Sequence, residues 1–287
     1  MKPAPFDYVR AESVEHAVAT LAAAGSDGKI IAGGQSLMPM INFRLVRPAV
    51  LVDINRISGL DRIEDRGKHL RLGALVRHRM TASDAVIARD VPVLHAAMEN
   101  VAHLTVRNRG TFCGSVCHAD PAAEMPMLSL LLDGVVRIAG PNGEREIAAA
   151  DFLTGSLTNA LDPAEMVTAI DIAKPAPGTG WGFAEFARRH GDYALAAVSV
   201  LIERADGAAR NVRVAVMGVG EIASRIVPAE AVLEGREPTA AVIAEAVAAL
   251  RDDIEPMSDL SASADYRRHL AGALAAKVIA QAWERAA

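Results

Sequence analysis

The sequence predicts an α+β fold of two domains: residues 1–175 form a domain of two lobes, and residues 179–287 form a small antiparallel sheet with helices. A strand–loop–turn–strand unit fills residues 1–57 and is typical of a small α/β lobe. Strand patterns with one polar face, mixed with short helices, fill residues 58–175 and indicate a second lobe built on a mixed sheet. The proline- and glycine-rich residues 174–180 predict the boundary between the domains.

The first lobe begins with a predicted amphipathic helix over residues 13–25, for which Ser13 is a favourable N-cap. Two strands follow, over residues 29–32 and 50–54, with a short helical turn at residues 37–41 between them. The second strand is apolar on both faces, and this pattern predicts a central position in its sheet.

The second lobe combines strands with short helices. Residues 69–73 alternate like a strand with one polar face, and Pro141-Asn142-Gly143 is a hairpin signal between two short strands. The remaining predicted elements are helices over residues 81–89, 92–103 and 127–132 and a closing strand over residues 166–172.

The C-terminal domain reads as three strands followed by two helices. The strand patterns cover residues 181–187, 194–203 and 211–218, and the helical patterns cover residues 239–251 and 264–284.

Composition excludes several classes of function. The net charge is −5 and no basic block occurs, so nucleic acid is not an expected partner. No run of 18 apolar residues is present, so no membrane span is predicted. The first residues lack the apolar core of a secretory signal, and two cysteines do not make a disulfide framework. We therefore expect a protein of the reducing cytoplasm.

The first of the two predicted strands ends at Ala32 and runs directly into Gly33, Gly34, Gln35 and Ser36. Adjacent glycines allow positive φ and a close approach of the backbone to a ligand, and successive N–H groups in such a turn form a concavity for anions. The segment suits a phosphate or pyrophosphate, although it matches neither a P-loop nor a Rossmann turn. A plain tight turn between strand and helix is the alternative.

Residues 105–126, TVRNRGTFCGSVCHADPAAEMP, show no apolar period of a helix or a strand. Long segments without a period inside compact domains are commonly working loops. The composition predicts a loop that wraps a ligand with backbone N–H groups. In this hypothesis Gly110, Thr111, Gly114 and Ser115 meet the same pyrophosphate from the other side. An ordinary surface loop is the alternative.

Cys113 and Cys117 are the only cysteines. An iron–sulfur cluster needs four ligands, and His103 and His118 do not stand at zinc-site spacing from them. A redox disulfide is the remaining alternative, although the C-x-x-C spacing is missing. No Ser-His-Asp or paired-carboxylate pattern stands out, so the sequence predicts neither a metal site nor a catalytic side chain.

The two segments together, AGGQSLMP at residues 32–39 and TVRNRGTFCGSVCHADPAAEMP, resemble the FAD-binding medium subunit of molybdenum hydroxylases. Carbon monoxide dehydrogenase medium subunits are similar, and the FAD domain of xanthine dehydrogenase is a more distant relative. The resemblance covers almost the whole chain, including VDI at 52–54, ADF at 150–152 and RRHGDYALAAV at 188–198. It implies an FAD-binding domain of the PCMH type followed by the C-terminal domain of the flavoprotein subunit.

The resemblance assigns FAD contacts by residue. Residues 32–37, Ala32 to Leu37, match the first pyrophosphate loop, which implies that their backbone amides contact a phosphate of FAD. The second loop of the family, T-I-G-G-N, reads T-F-C-G-S here, and its residues are Thr111, Phe112, Cys113, Gly114 and Ser115. Cys113 replaces a glycine and Ser115 replaces the asparagine. Because a Cβ restricts φ, Cys113 is the main departure of this chain from the family loop.

Four further side chains are implied at the cofactor. Asp120 and Glu124 lie in HADPAAE, and Asp120 matches a contact to a ribityl or ribose hydroxyl group. Asp192 and Tyr193 match the position near the isoalloxazine, where the Tyr193 ring would cover one face. The alternative for this last pair is a turn before a strand with a half-buried tyrosine.

The resemblance also implies the role of the chain. Substrate is hydroxylated at molybdenum in a large molybdopterin subunit, and electrons pass through two [2Fe-2S] clusters of a small subunit to this FAD and then to an external acceptor. A dimer of heterotrimers is the expected assembly. Two alternatives stay open: a self-contained FAD-dependent oxidoreductase of the same fold, and an assembly subunit that has lost its flavin.

Overall fold

The computed structural model describes residues 2–287, and its first lobe is built on a three-stranded sheet in the order β1-β3-β2. Both pairings are parallel. The elements of this lobe are β1 (Asp7–Arg10), α1 (Val14–Ala24), β2 (Gly28–Ile31), α2 (Leu37–Asn42) and β3 (Val50–Asp53). The predicted helix, helical turn and two strands are confirmed, and β3 is central as expected.

Helix α1 forms where its capping residues predict. The Ser13 side chain accepts a hydrogen bond from the His16 N–H, and Gly25 ends the helix with φ 58°. Strand β1 was not predicted. It is an edge strand with three of its four residues exposed, and so it lacks the alternation that would reveal it.

The second lobe contains a five-stranded sheet in the order β4-β5-β10-β6-β7. This sheet was expected to be mixed, but all its pairings are antiparallel. Strand β10 lies between the hairpin of β4 and β5 and the hairpin of β6 and β7, and it pairs with β5 and β6. The elements of this lobe are β4 (Ile63–Asp65), β5 (His69–Gly73), α3 (His78–Ser83), α4 (Ala85–Asp90), α5 (Pro92–Ala97), α6 (Leu104–Arg107), α7 (Phe112–His118), α8 (Glu124–Leu131), β6 (Val135–Gly140), β7 (Gly143–Ala148), α9 (Ala149–Phe152), β8 (Leu153–Gly155), β9 (Thr158–Asn159) and β10 (Met166–Ala173).

Two predicted helices of this lobe are shorter than expected. The helix predicted over residues 81–89 is divided into α3 and α4, because the Asp84 carboxylate accepts hydrogen bonds from two following N–H groups and starts a new helix. The helix predicted over residues 92–103 ends at Ala97. Beyond this point the Arg107 guanidinium donates to the carbonyl oxygens of four of the next residues, Met98, Glu99, Val101 and Ala102.

The prediction of a long loop over residues 105–126 was wrong. This segment contains most of α6, the whole of α7 and the start of α8. Phe112, Cys113 and Val116 form the buried face of α7. A helix of seven residues is too short to give a clear apolar period, so sequence pattern alone does not distinguish it from a loop.

The C-terminal domain is a four-stranded antiparallel sheet in the order β11-β12-β13-β14, covered on one face by helices. Its elements are β11 (Gly180–Phe186), β12 (Ala196–Ala205), β13 (Ala208–Met217), β14 (Ser224–Arg225), α10 (Val227–Leu233), α11 (Ala240–Asp253) and α12 (Ala264–Arg285). The three long strands and two long helices are confirmed. The short β14 and α10 were not predicted.

The other face of this sheet packs on the second lobe. Buried side chains of β12 and β13, such as Leu201 and Met217, share one hydrophobic core with α5, α7 and α8. The Gly218 N–H donates to the Pro121 carbonyl oxygen at 2.8 Å, just after α7. The C-terminal sheet therefore fixes the position of the 111–126 segment. No helix among residues 2–287 is both long and apolar enough to cross a membrane.

The close packing of α12 on β11 gives a stability test. A Cβ at Gly182 would lie 2.6 Å from the Val278 carbonyl oxygen, so Gly182→Ala must push the helix away from the strand. We expect a loss of about 1–3 kcal/mol in the free energy of unfolding, measured by urea denaturation. Gly155→Ala is the control, because its nearest neighbour is 3.6 Å away. Equal stabilities of the two variants would contradict this packing.

Candidate functional site

The segment between β2 and α2 presents a row of unused hydrogen-bond donors. The backbone N–H groups of residues 33–37 have no acceptor in the described part of the chain. Gly34 has φ +71°, and the Gln35 side-chain amide donates to the Gly33 carbonyl oxygen at 3.0 Å. Consecutive N–H groups held in this way form a concavity suited to the oxygens of a phosphate.

The second segment, at the start of α7, contributes fewer free donors than the sequence predicted. The Phe112 N–H donates to the Val76 carbonyl oxygen, and the Gly114 and Ser115 N–H groups donate to the side chain and carbonyl of Thr111. The N–H groups of Thr111 and Cys113 have no acceptor within residues 2–287. Two of the five predicted amides are thus available to a ligand, and the other three hold the segment in place.

The two segments touch through their backbones. A Cβ at Gly33 would overlap the Arg109 carbonyl oxygen and would lie 2.8 Å from the Gly110 Cα. Gly33 is buried by this contact. The two sets of free N–H groups, one from each lobe, therefore lie side by side.

Tyr193 lies near residues from two other parts of the chain, Ser36 and Asp120. The residue is 60% exposed, while Ser36 and Asp120 lie close enough to its hydroxyl to affect its ionisation. Burial of the hydroxyl, together with the charges of Asp120 and Glu124, raises the pKa of Tyr193 to about 12. The structure thus brings Ser36, Asp120 and Tyr193 together. The fourth predicted side chain, Asp192, is exposed and has no hydrogen-bond partner among the described side chains.

Glu124 faces a carboxyl group that the sequence did not indicate, Glu185 of β11. Burial and the charge of Asp120 raise the pKa of Glu124 to about 7. Burial and the charge of Glu124 raise the pKa of Glu185 to about 8. One Glu185 carboxyl oxygen is buried without a hydrogen-bond partner within residues 2–287. No sequence signal marks this pair, since Glu185 reads as an ordinary polar position in an alternating strand.

Positive charge surrounds the second segment. Arg77 and Arg107 donate only to neutral oxygens, and neither forms an ion pair among residues 2–287. Uncompensated guanidinium groups behind free N–H donors favour an anionic ligand. The sequence analysis missed both; the side-chain partners of Arg77 lie 22 and 32 residues away along the chain. Among residues 2–287, no group of three or more His, Cys, Asp and Glu side chains is arranged to hold a metal ion.

Two family models divide the chain between them. The model described as the FAD binding domain in molybdopterin dehydrogenase matches residues 4–175, and that of the CO dehydrogenase flavoprotein C-terminal domain matches residues 181–282. The chain belongs to the FAD-binding medium subunits of the molybdenum hydroxylases. The family resemblance drawn from the two glycine segments is therefore confirmed, as is the prediction of FAD on this chain.

Relatives of this medium subunit match along their full length. The 6-hydroxypseudooxynicotine dehydrogenase complex subunit alpha of Paenarthrobacter nicotinovorans is 40% identical over 287 residues, 100% of this chain and 97% of that protein. The nicotine 6-hydroxylase medium subunit of the same organism is 38% identical, over 99% of this chain and 100% of that protein. The structure of carbon monoxide dehydrogenase from Hydrogenophaga pseudoflava superimposes with a TM-score of 0.98 at 35% identity, covering 100% of both chains.

The structure explains how this medium subunit accommodates Cys113 where the family loop has glycine. Cys113 lies inside α7, in a backbone conformation open to any L-residue, and its side chain points away from the free N–H groups into the core. The thiol is 2% exposed and lies 3.4 Å from the Leu72 carbonyl oxygen. Burial raises the pKa of the Cys113 thiol well above its usual value. Cys113 and Cys117 are both free cysteines.

Substitutions on α7 separate FAD binding from stability. We expect Cys113→Gly to keep its FAD affinity, since the free N–H remains, but to lose roughly 2 kcal/mol of stability through the cavity and the added backbone freedom. Gly114→Val should abolish FAD binding, because a Cβ there lies 2.6 Å from the Thr111 hydroxyl oxygen that holds the segment. FAD titration followed by flavin fluorescence measures both. Equal affinity in the wild type and in Gly114→Val would show that the segment does not contact FAD.

The raised pKa of Glu185 predicts a pH dependence of stability. Between about pH 4.5 and pH 8 the folded chain holds more protons at this site than the unfolded chain, so folding stability falls as the pH rises. Glu185→Gln stays neutral at every pH and should escape this loss. Its unfolding midpoint in urea, relative to the wild type, should therefore be higher at pH 9 than at pH 5.

The matched control for this pH test is Glu255→Gln, the same change on an exposed glutamate outside the site. If the urea unfolding midpoints of Glu185→Gln and the wild type differ by the same amount at pH 5 and at pH 9, the raised pKa assigned to Glu185 is contradicted.

Proposed function

We propose that this chain is the electron relay of a three-subunit molybdenum hydroxylase. Its FAD takes electrons from the [2Fe-2S] clusters of a small subunit and passes them to an external acceptor, while substrate is oxidised on a large molybdopterin subunit. The relatives support the assembly, since one is named as part of a dehydrogenase complex and another as a medium subunit. The observation that carries the proposal is the contact at Gly33, which sets two rows of free N–H groups beside each other.

The pyrophosphate of FAD fits these two rows. Amides of residues 33–37 would hold one phosphate, and the N–H groups of Thr111 and Cys113 would meet the other. Glycine at positions 33 and 114 leaves space that a side chain would fill. The remaining residues assigned to this part of the cofactor site support its backbone; they are Ala32, Phe112 and Ser115.

The ring end of FAD fits the region around Tyr193. Tyr193 is largely exposed and its aromatic ring offers a flat apolar surface, while Ser36 and Asp120 lie near its hydroxyl. Asp120 would accept a hydrogen bond from a ribityl or ribose hydroxyl group. The bound flavin supplies the capacity to accept and release electrons; the protein binds it, orients it and excludes water. We place Glu124 and Asp192 beside this end of the cofactor.

The proposal extends to the arrangement of the subunits. We propose a domain boundary between residues 175 and 179, a dimer of heterotrimers, and work in the reducing cytoplasm. The free state of both cysteines is in keeping with a reducing compartment.

The purified chain tests the proposal directly. We expect the chain to bind one FAD and take on the flavin absorbance, and to show no oxidation of small substrates alone. Addition of a reduced small [2Fe-2S] subunit should bleach that absorbance. A chain that stays colourless with excess FAD would point to the flavin-free assembly subunit. Substrate oxidation by the isolated chain would point to a self-contained oxidoreductase.

A further inference from the structure

The Ala32 carbonyl group, which precedes the first row of free amides, accepts a hydrogen bond from the Asn55 side chain. The Asn55 side-chain Nδ2 donates to the Ala32 carbonyl oxygen at 2.8 Å. Asn55 follows β3 and is itself held by Asp53. The Asp53 carboxylate accepts hydrogen bonds from the Asn55 backbone N–H at 2.8 Å and from the Asn55 Nδ2 at 2.6 Å. The N–H and C=O of a peptide unit point in opposite directions. The contact with Asn55 therefore turns the Gly33 N–H away from the Asn55 side chain.

Arg77 links Asn55 to the second segment. One of its terminal nitrogens, Nη2, donates to the Asn55 side-chain oxygen, and the other, Nη1, donates to the Arg109 carbonyl oxygen. The backbone of Arg77 is also fixed, because its two neighbours pair with the second segment. The His78 N–H donates to the Gly110 carbonyl oxygen, and the Val76 carbonyl accepts from the Phe112 N–H, both at 3.0 Å.

We propose that Arg77 is a positioning residue for FAD, which together with Asn55 bridges the two pyrophosphate segments and fixes the distance between them. This inference rests on the proposed function and extends it to residues that do not touch the cofactor. A planar guanidinium has separate donors in a rigid fork and spans two acceptors at once, which a lysine ammonium on a flexible stem does not. The bridge arranges the donors before FAD arrives, so binding does not have to order them.

A general attraction between the Arg77 charge and the pyrophosphate is the competing explanation, and Arg77→Lys separates the two. This variant keeps the charge and removes the fork. We expect both Arg77→Lys and Arg77→Ala to weaken FAD binding about tenfold or more, since hydrogen bonds from a charged donor are lost in both. The exposed neighbour Arg79 provides the matched control: Arg79→Ala removes a charge two residues away and should stay within about twofold of the wild type.

A double substitution tests whether the two side chains act as one unit. Asn55→Ala should weaken FAD binding by an amount similar to Arg77→Ala, and the double variant should be little worse than either single variant, because either change breaks the same bridge. Additive losses would show independent effects and would overturn the proposal.

The experiment is an FAD titration of each full-length variant by flavin fluorescence, with the melting temperature of the FAD-free chain measured alongside. An Arg77→Lys variant with wild-type affinity would overturn the bridge, and so would a lower melting temperature with unchanged affinity. A wild-type chain that binds no FAD would contradict the proposed function and this inference with it. These outcomes distinguish a failure of the bridge from a failure of the function.

Discussion

The backbone contact between Gly33 and the Arg109–Gly110 peptide is the constraint on which the site depends. It joins the segment after β2 in the first lobe to the segment before α7 in the second, and it leaves no room for a side chain on Gly33. A Cβ at Gly33 would overlap the Arg109 carbonyl, and one at Gly110 would lie 2.8 Å from the His78 ring. Glycine is required at position 33 because two chain segments approach each other directly, and at position 110 because the His78 ring lies against the backbone.

The site has two ends of different electrostatic character. Near the Gly33 contact lie N–H donors and guanidinium groups that have no acceptor or carboxylate partner within residues 2–287, an environment for negative charge. Near Tyr193 lies Glu124, whose neighbour is Glu185, and their raised pKa values of about 7 and about 8 reduce the negative charge of this pair at neutral pH. A ligand with a charged pyrophosphate and an uncharged ring system matches both ends. The C-terminal domain contributes Glu185 and Tyr193, so it completes the site as well as covering the core.

Sequence pattern predicted most of the long helices and strands, and it marked the first glycine segment as a place of close backbone approach. Ser13 and Gly25 mark the ends of α1, and the alternating patterns mark strands, because these features depend on neighbouring residues only. Residues 32–36 contain the glycine pair that a close backbone approach requires. It failed for α7, because seven residues give no clear period and the Thr111 cap looks like any loop threonine. It also missed Asn55, Arg77 and Glu185. Their roles arise from partners 20 or more residues away, and no single-sequence pattern records such contacts.

Hydrogen–deuterium exchange of the chain with and without FAD tests the central claim most directly, since the site is defined by N–H groups that lack acceptors. These amides exchange freely until a phosphate oxygen accepts from them. The account predicts that FAD slows exchange in peptides covering residues 33–37 and in those covering Thr111 and Cys113. FAD binding that leaves exchange in both regions unchanged, while protecting others, would contradict it.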